Sequence, residues 1–505
     1  MKIIPTSILI LQSIALIHGA QRVFSGEGPR QYNAATPHAD LHQILEDARV
    51  KTGIPGMSVA VLHRGKLVFA EGFGKRNELD PFTAETLMPI ASVTKAFTAA
   101  AIGELVGEGK VDWDTTPVSK YLPEFELADP VFTSQLTFQD LLSHRTGFPP
   151  VDSAWTGETV PRKELIKRLK YIKTGSKLRS YVIYNNVMYG VAGEAAANVA
   201  GIPYEDLVLE KVLKPLGLNN SGFSTKEMSE HFNYAMPYQA DSLEDAQNGK
   251  FKQAPLDDYT RVDAPAGDMY SNVLDLVRWG RAIMKYGEVD GKQILNRDSV
   301  TEMLSGQSIY KRERQSPEFG PISGYAGHVP GFTSNLALFP DSDLVVAHLS
   351  NIFTGSLTSF SAYLIADELL GLTKTLDWIS VAIKTSQDYF DLVDESTRGN
   401  FPKRIENKPP THDLAGFVGD YQSPSHSDIS VHLKTNSEDK EELYIRFRDY
   451  DSKLDHYHYD SFSTTWEVSL FRIAQLVTFT TGEDGNIAGI QTEMDDSMIV
   501  FKRKE

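Results

Sequence analysis

Strand-like sequence stands near both ends of the longer part of this chain, and that restricts the fold more than any other feature. Met57–Leu62 and Leu67–Phe73, joined through His63-Arg64-Gly65-Lys66, read as a β-hairpin. Far downstream, Ser334–Phe339 and Leu344–Ser350 flank the turn Pro340-Asp341-Ser342-Asp343. Between and around them, apolar periodicity predicts helices over 39–51, 96–107, 187–200, 271–285 and 356–370. Residues 224–262 are polar and turn-rich and read as a surface excursion. Early strands that pair with late ones leave few topologies open. The expectation is α/β (α+β): an antiparallel sheet built from both ends, flanked by helices, beside an all-helical subdomain.

Beyond residue 372 the character changes. Residues 373–411 read as a helical linker ending in Lys408-Pro409-Pro410, a predicted site of proteolytic nicking. Residues 412–505 alternate in hydrophobicity, as in Ile429–Leu433, Leu443–Phe447 and Leu476–Thr480, with a turn at Glu483–Asn486. That predicts a small C-terminal all-β domain after a main domain over 39–372. With 18 acidic and 9 basic residues, it carries about half of the acidic excess in a net charge of −17. Such a charge argues against nucleic acid and against anionic membrane surfaces. The chain has no cysteine, which excludes disulfides, thiolate metal sites and cysteine nucleophiles.

At the N-terminus, Lys2, the apolar run 6–17 and the small pair Gly19-Ala20 read as a signal peptide over 1–20, with a polar lead-in over 21–38. The run is short for a bilayer span. The expected location is therefore extracellular, and Asn219-Asn220-Ser221 would be a usable glycosylation sequon at Asn219.

One stretch carries candidate chemistry. In Ala91-Ser92-Val93-Thr94-Lys95-Ala96-Phe97, Ser92 falls at a predicted helix start and Lys95 one turn on, facing the same way. A hydroxyl beside a desolvated amine at a helix N-terminus is a plausible activated nucleophile. The spacing is short enough to recur by chance, and Ser308-Ile309-Tyr310-Lys311 repeats it in a turn-rich context. His456 and His458 project from one strand face and could chelate a metal with Asp455 or Asp460, but a structural role is the stronger reading. No metal or cofactor is assigned.

Around Ser92 the likeness becomes specific. Ile54–Val61, Gly72-Phe73-Gly74, Ser92–Phe97, Leu141–Gly147, Pro215–Leu218, Pro265–Ser271 and Pro330-Gly331-Phe332 follow in order. Together they resemble the serine β-lactamase-related family of class C β-lactamases, DD-peptidases, D-aminopeptidases and family VIII esterases. The resemblance implies a β-lactamase/transpeptidase-like fold, and it covers about residues 40–372. It also implies three motifs, of which Ser92-x-x-Lys95 is the first.

The second falls on Tyr184-Asn185-Asn186, ahead of a helix, rather than on Tyr270-Ser271-Asn272. The third falls on Tyr325-Ala326-Gly327-His328; Lys173-Thr174-Gly175 and Lys51-Thr52-Gly53 match it literally but stand in the wrong order. On this pattern Ser92, Lys95 and Tyr184 are catalytic, and Asn186 orients Lys95 or substrate. The backbone N–H groups of Ser92 and His328 would form an oxyanion hole beside Gly327. His144 lies in a segment that is structural in relatives. Tyr325 departs from the family, because the lysine or histidine there helps hold a substrate carboxylate. Tyrosine offers a hydrogen bond without charge.

The expectation is a secreted serine hydrolase acting through an acyl-enzyme on a small-molecule or peptide ester or amide. A β-lactamase or DD-peptidase is the alternative. From another class, a secreted acidic matrix protein with a recruited fold also stays open, through its acidic C-terminal domain.

Overall fold

The computed structural model describes residues 38–505 except 257–260, 309–322, 355, 373–375, 400, 469–470 and 496. The expected signal segment, all of the lead-in but His38, and Tyr310 and Lys311 of the second Ser-x-x-Lys lie outside the described residues.

The chain opens with helix α1 (His38–Thr52) and the hairpin β1 (Gly56–His63) and β2 (Lys66–Gly74). Helix α2 (Thr94–Gly107) follows, and α3 (Asn186–Ala200) and α4 (Val273–Met284) come later. Strands β3 (Ser323–Val329), β4 (Phe332–Phe339) and β5 (Leu344–Ser350) then complete a five-stranded antiparallel sheet in the order β3-β4-β5-β1-β2. β1 and β5 are buried almost throughout because they are central strands covered on both faces.

Alternation splits their side chains between two cores. Ala60, Val345, Ala347 and Leu349 face the helical subdomain, where Phe97 of α2 stacks on Trp279 of α4 at 4.1 Å. Met57, Val59, Val61, Leu344 and Val346 face α1 and helix α5 (Ser356–Leu370). The sheet assembled from both chain ends and the helices beside it stand as the sequence predicts.

The stretch expected as a linker differs. Helix α6 (Trp378–Arg398) spans 21 residues, and Trp378 and Ala382 are buried in the core formed with α1 and α5. Tyr389 and Phe390 extend that burial against Phe353. An amphipathic helix of this length secures its apolar face by packing, so it belongs to the main body. Among the described residues of 373–411, only the run 402–409 is continuously exposed.

The C-terminal domain is one nine-stranded sheet of β6 (Gly419–Gln422), β7 (Ile429–Thr435), β8 (Glu441–Phe447), β9 (Tyr450–Lys453), β10 (Asp455–His458), β11 (Ser461–Val468), β12 (Phe471–Thr481), β13 (Ile487–Met494) and β14 (Ser497–Arg503). Its order is β9-β8-β7-β6-β14-β13-β12-β11-β10. The sheet curls nearly into a barrel: Ser452 on β9 donates to the Thr465 carbonyl on β11 at 2.7 Å. Phe417, Phe462 and Phe479 pack edge to face inside it. His456 and His458 are engaged locally, Nε2 of His456 with the Tyr459 carbonyl and Nδ1 of His458 with the Ile405 N–H.

Candidate active site

Ser92 lies in a single 3-10 turn, Ala91–Val93, that runs into α2. Ala91 holds φ at 49°, a left-handed conformation that costs a non-glycine residue energy and turns the chain sharply just before Ser92. Neither the turn nor α2 is capped by a side chain, so the Ser92 hydroxyl is not used for capping. Two contacts hold the turn to neighbouring strands. Ser334 Oγ on β4 donates to the Ile90 carbonyl at 2.7 Å, and the Ile90 N–H donates to the Met269 carbonyl at 2.8 Å.

Around that hydroxyl the structure gathers Lys95 and Tyr184. Lys95 Nζ lies 3.0 Å from Ser92 Oγ and donates at 2.7 Å to the Ala266 carbonyl. The Tyr184 hydroxyl is 2.8 Å from the same Oγ. Lys95 is buried and its ammonium sits over the rings of Tyr184 and Tyr189, 4.9 and 5.3 Å from their centroids. Ser92 and Tyr184 remain half-buried, open to an incoming molecule.

Tyr184 is placed by the start of α3. Asn185 is the N-cap, its side chain accepting from the Met188 N–H and donating to the Pro149 carbonyl at 2.8 Å. His144 lies against Tyr184 with ring centroids 4.4 Å apart, and its Nδ1 accepts the Asn185 N–H at 3.1 Å. Desolvation, with the Lys95 charge adding to it, pushes His144 down to about 3. It is a neutral acceptor that fixes the tyrosine, in keeping with a structural segment.

Asn186 directs its amide Nδ2 to Asp152 Oδ1 at 3.1 Å. Asp152, which sequence reasoning missed, also accepts from Trp155 Nε1 at 2.9 Å, and burial raises its carboxyl above the usual range.

β3 is an edge strand, and its inner face meets the Ser92 turn. A Cβ at Gly327 would overlap the Ile90 carbonyl and Ser334 Oγ and lie 2.9 Å from the Ser92 nitrogen. Tyr325 shares that face, half-buried, with burial raising its phenol so that it stays neutral. His328 points its ring to the other face, 6.0 Å from Phe353, and burial pushes it down to about 4.

Its backbone is a different matter. Val329 pairs with Phe332 across the two-residue turn Pro330-Gly331, so His328, opposite Thr333, is a non-hydrogen-bonded pair. Its N–H therefore leaves the outer edge of the sheet, on the strand that packs against Ser92. The Ser92 nitrogen lies beside Gly327 of the same strand.

The remaining motif look-alikes serve as structure. Asn272 caps α4, the Tyr270 hydroxyl donates to Glu227, and Gly175 and Ser176 donate to the Gly147 carbonyl. Ser308 donates to the Ser143 carbonyl at 3.1 Å. Asn219 is exposed, while Ser221 of its sequon is buried against Ser271 and Asp275.

Asp263, also missed, is fully buried beside α3, where a Cβ at Gly190 would run into its Oδ1. Among the described residues neither of its oxygens has a hydrogen-bond partner, and desolvation raises it to about 8.

The beta-lactamase family model matches residues 41–370, and a domain of unknown function, DUF3471, matches residues 403–503. The chain belongs to the beta-lactamase family of serine hydrolases. An unguisins hydrolase of Aspergillus campestris is 25% identical over 435 residues, 78% of this chain and 77% of its own length. Among solved structures, an octameric penicillin-binding protein homologue from Pyrococcus abyssi matches with a TM-score of 0.55 at 19% identity, over 92% of this chain and all of its own. EstCE1, a hydrolase with promiscuous acyltransferase activity, matches with a TM-score of 0.54 at 17% identity, over 68% and 98%. At such identities the structural matches bear on the fold.

Proposed function

We propose that the chain is a secreted serine hydrolase that forms an acyl-enzyme at Ser92 with an ester or amide lacking the carboxylate of penicillins and peptidoglycan stems. One observation carries this reading: Ser92 Oγ stands 3.0 Å from Lys95 Nζ and 2.8 Å from the Tyr184 hydroxyl. Ser92 attacks the acyl carbon, and the Lys95–Tyr184 pair takes its proton and returns one to the leaving group. The Ser92 and His328 N–H groups bind the oxyanion, and water then releases the acyl group by the reverse path. The neutral phenol of Tyr325 supports the substrate choice, since a missing charge-assisted bond disfavours a carboxylate by about 1.5–3 kcal/mol. A relative named as a hydrolase supports hydrolysis. The apolar N-terminal run and the absence of cysteine are compatible with export. Asn219 is exposed as a glycan acceptor would be.

A fluorophosphonate should label wild-type protein at Ser92, and Ser92→Ala should abolish the label. Labelling that persists in the variant moves the nucleophile elsewhere.

A further inference from the structure

Helix α6 of the main body packs on β12 of the β domain, and a second, polar part of the seam gathers on one loop, 152–158, whose first residue holds Asn186. From the tip of the β8–β9 hairpin, Arg448 donates through NH2 to the Ser153 carbonyl at 2.6 Å, through Nε to Glu158 at 2.9 Å, and through NH1 to the Thr156 carbonyl. From the tip of the β13–β14 hairpin, Asp495 accepts the Ser153 N–H at 2.7 Å and also its hydroxyl. His426 Nε2 adds a contact to Ser153 Oγ at 3.0 Å.

Glu158 and Arg448 are almost wholly buried, with side chains 4% and 8% exposed, and Arg168 and Ser427 complete the cluster on Glu158. A buried ion pair of this kind fixes geometry, and removing one partner leaves the other charge uncompensated. Arg448 also stands at the first central position of a two-residue hairpin turn with φ at 57°, a place that favours glycine or asparagine. The strained backbone is kept with a side chain that spans the seam.

We propose that the C-terminal β domain is a working part of the hydrolase site. Arg448 and Asp495 are positioning residues that clamp the 152–158 loop and, through Asp152, set the Asn186 amide toward the substrate. The kinetic side of this inference rests on the reading of Ser92 as the nucleophile; the structural side does not.

Arg448→Asn in the full-length chain separates the possibilities, because asparagine suits the turn but cannot span the seam. Its melting temperature should fall, because Glu158 loses its nearer cation and keeps only Arg168, while kcat for a neutral ester, measured where the variant is folded, falls about tenfold with little change in KM, as misplacement of an orienting group predicts. Combined with Asn186→Ala it should lose little more, since both act through one amide. Additive losses, or an unchanged kcat, would overturn the proposal. Hydrogen exchange on the same proteins should show faster exchange over 152–158 and 184–188 in Arg448→Asn. Unchanged exchange there overturns the clamp whatever the activity. A wild type without turnover instead defeats the hydrolase reading, and exchange still decides the clamp.

Discussion

Tyr325 and Asp263 are single residues whose chemistry departs from what surrounds them. At Tyr325 the hydroxyl is neutral, so Tyr325→Lys should improve acylation by a β-lactam relative to a short neutral ester by about tenfold in the ratio of kcat/KM values. Tyr325→Phe should leave that ratio nearly unchanged. A wild type that already prefers penicillins over neutral esters would remove the argument.

Asp263 is raised to about 8 by burial, so the folded protein keeps its proton where the unfolded chain has lost it. Below about pH 4 both states are protonated and no penalty exists. The penalty grows as pH rises and is complete above about pH 8. Asp263→Asn should therefore raise the melting temperature by several degrees near pH 9 and distinctly less near pH 5. Equal gains at both values would mean that the carboxyl is ionised, or partnered, at both.

At the scale of elements, the edge strand β3 and the turn before α2 form one unit. The turn is bent at Ala91, tied down by Ser334, and pressed against Gly327 with no room for a Cβ. Gly327→Ala forces strand and turn apart. It should lower kcat by about a hundredfold, the scale of one lost oxyanion donor, and stability by about 1–3 kcal/mol. Activity within twofold of wild type would show that the strand does not build the hole.

Helix α6 makes the contrasting case. Its 21 residues carry an apolar stripe that the sequence shows plainly, yet the partner of that stripe is set by α1 and α5. A compositional break marks where the amino acids change, and burial decides where the body ends.

In the whole molecule, the exposed run 402–409 joins two bodies that meet across the Arg448–Glu158 seam. Limited trypsin should cut at Lys403 or Arg404 well before Lys384, and the two pieces should still co-elute in gel filtration. Early cleavage at Lys384, or separated pieces, would contradict the packing of α6 or the strength of the seam.

What the sequence determined by itself were the features that local pattern encodes. The hairpin at 57–73, the late strands, the helices, the alternating C-terminal runs and the Ser92–Lys95 spacing are all written within a few residues of one another. Motif order then led to Tyr184 and Gly327 through resemblance.

Only the tertiary structure decided that Asn186 faces Asp152, that the His328 ring turns toward Phe353, and that Asp263 is buried without a hydrogen-bond partner among the described residues. It also decided that Ser334 pins the nucleophile turn and that Arg448 reaches the 152–158 loop. The physical reason is common to these cases. Such roles depend on contacts between residues distant in sequence, and on desolvation, which no residue possesses until the chain has closed around it.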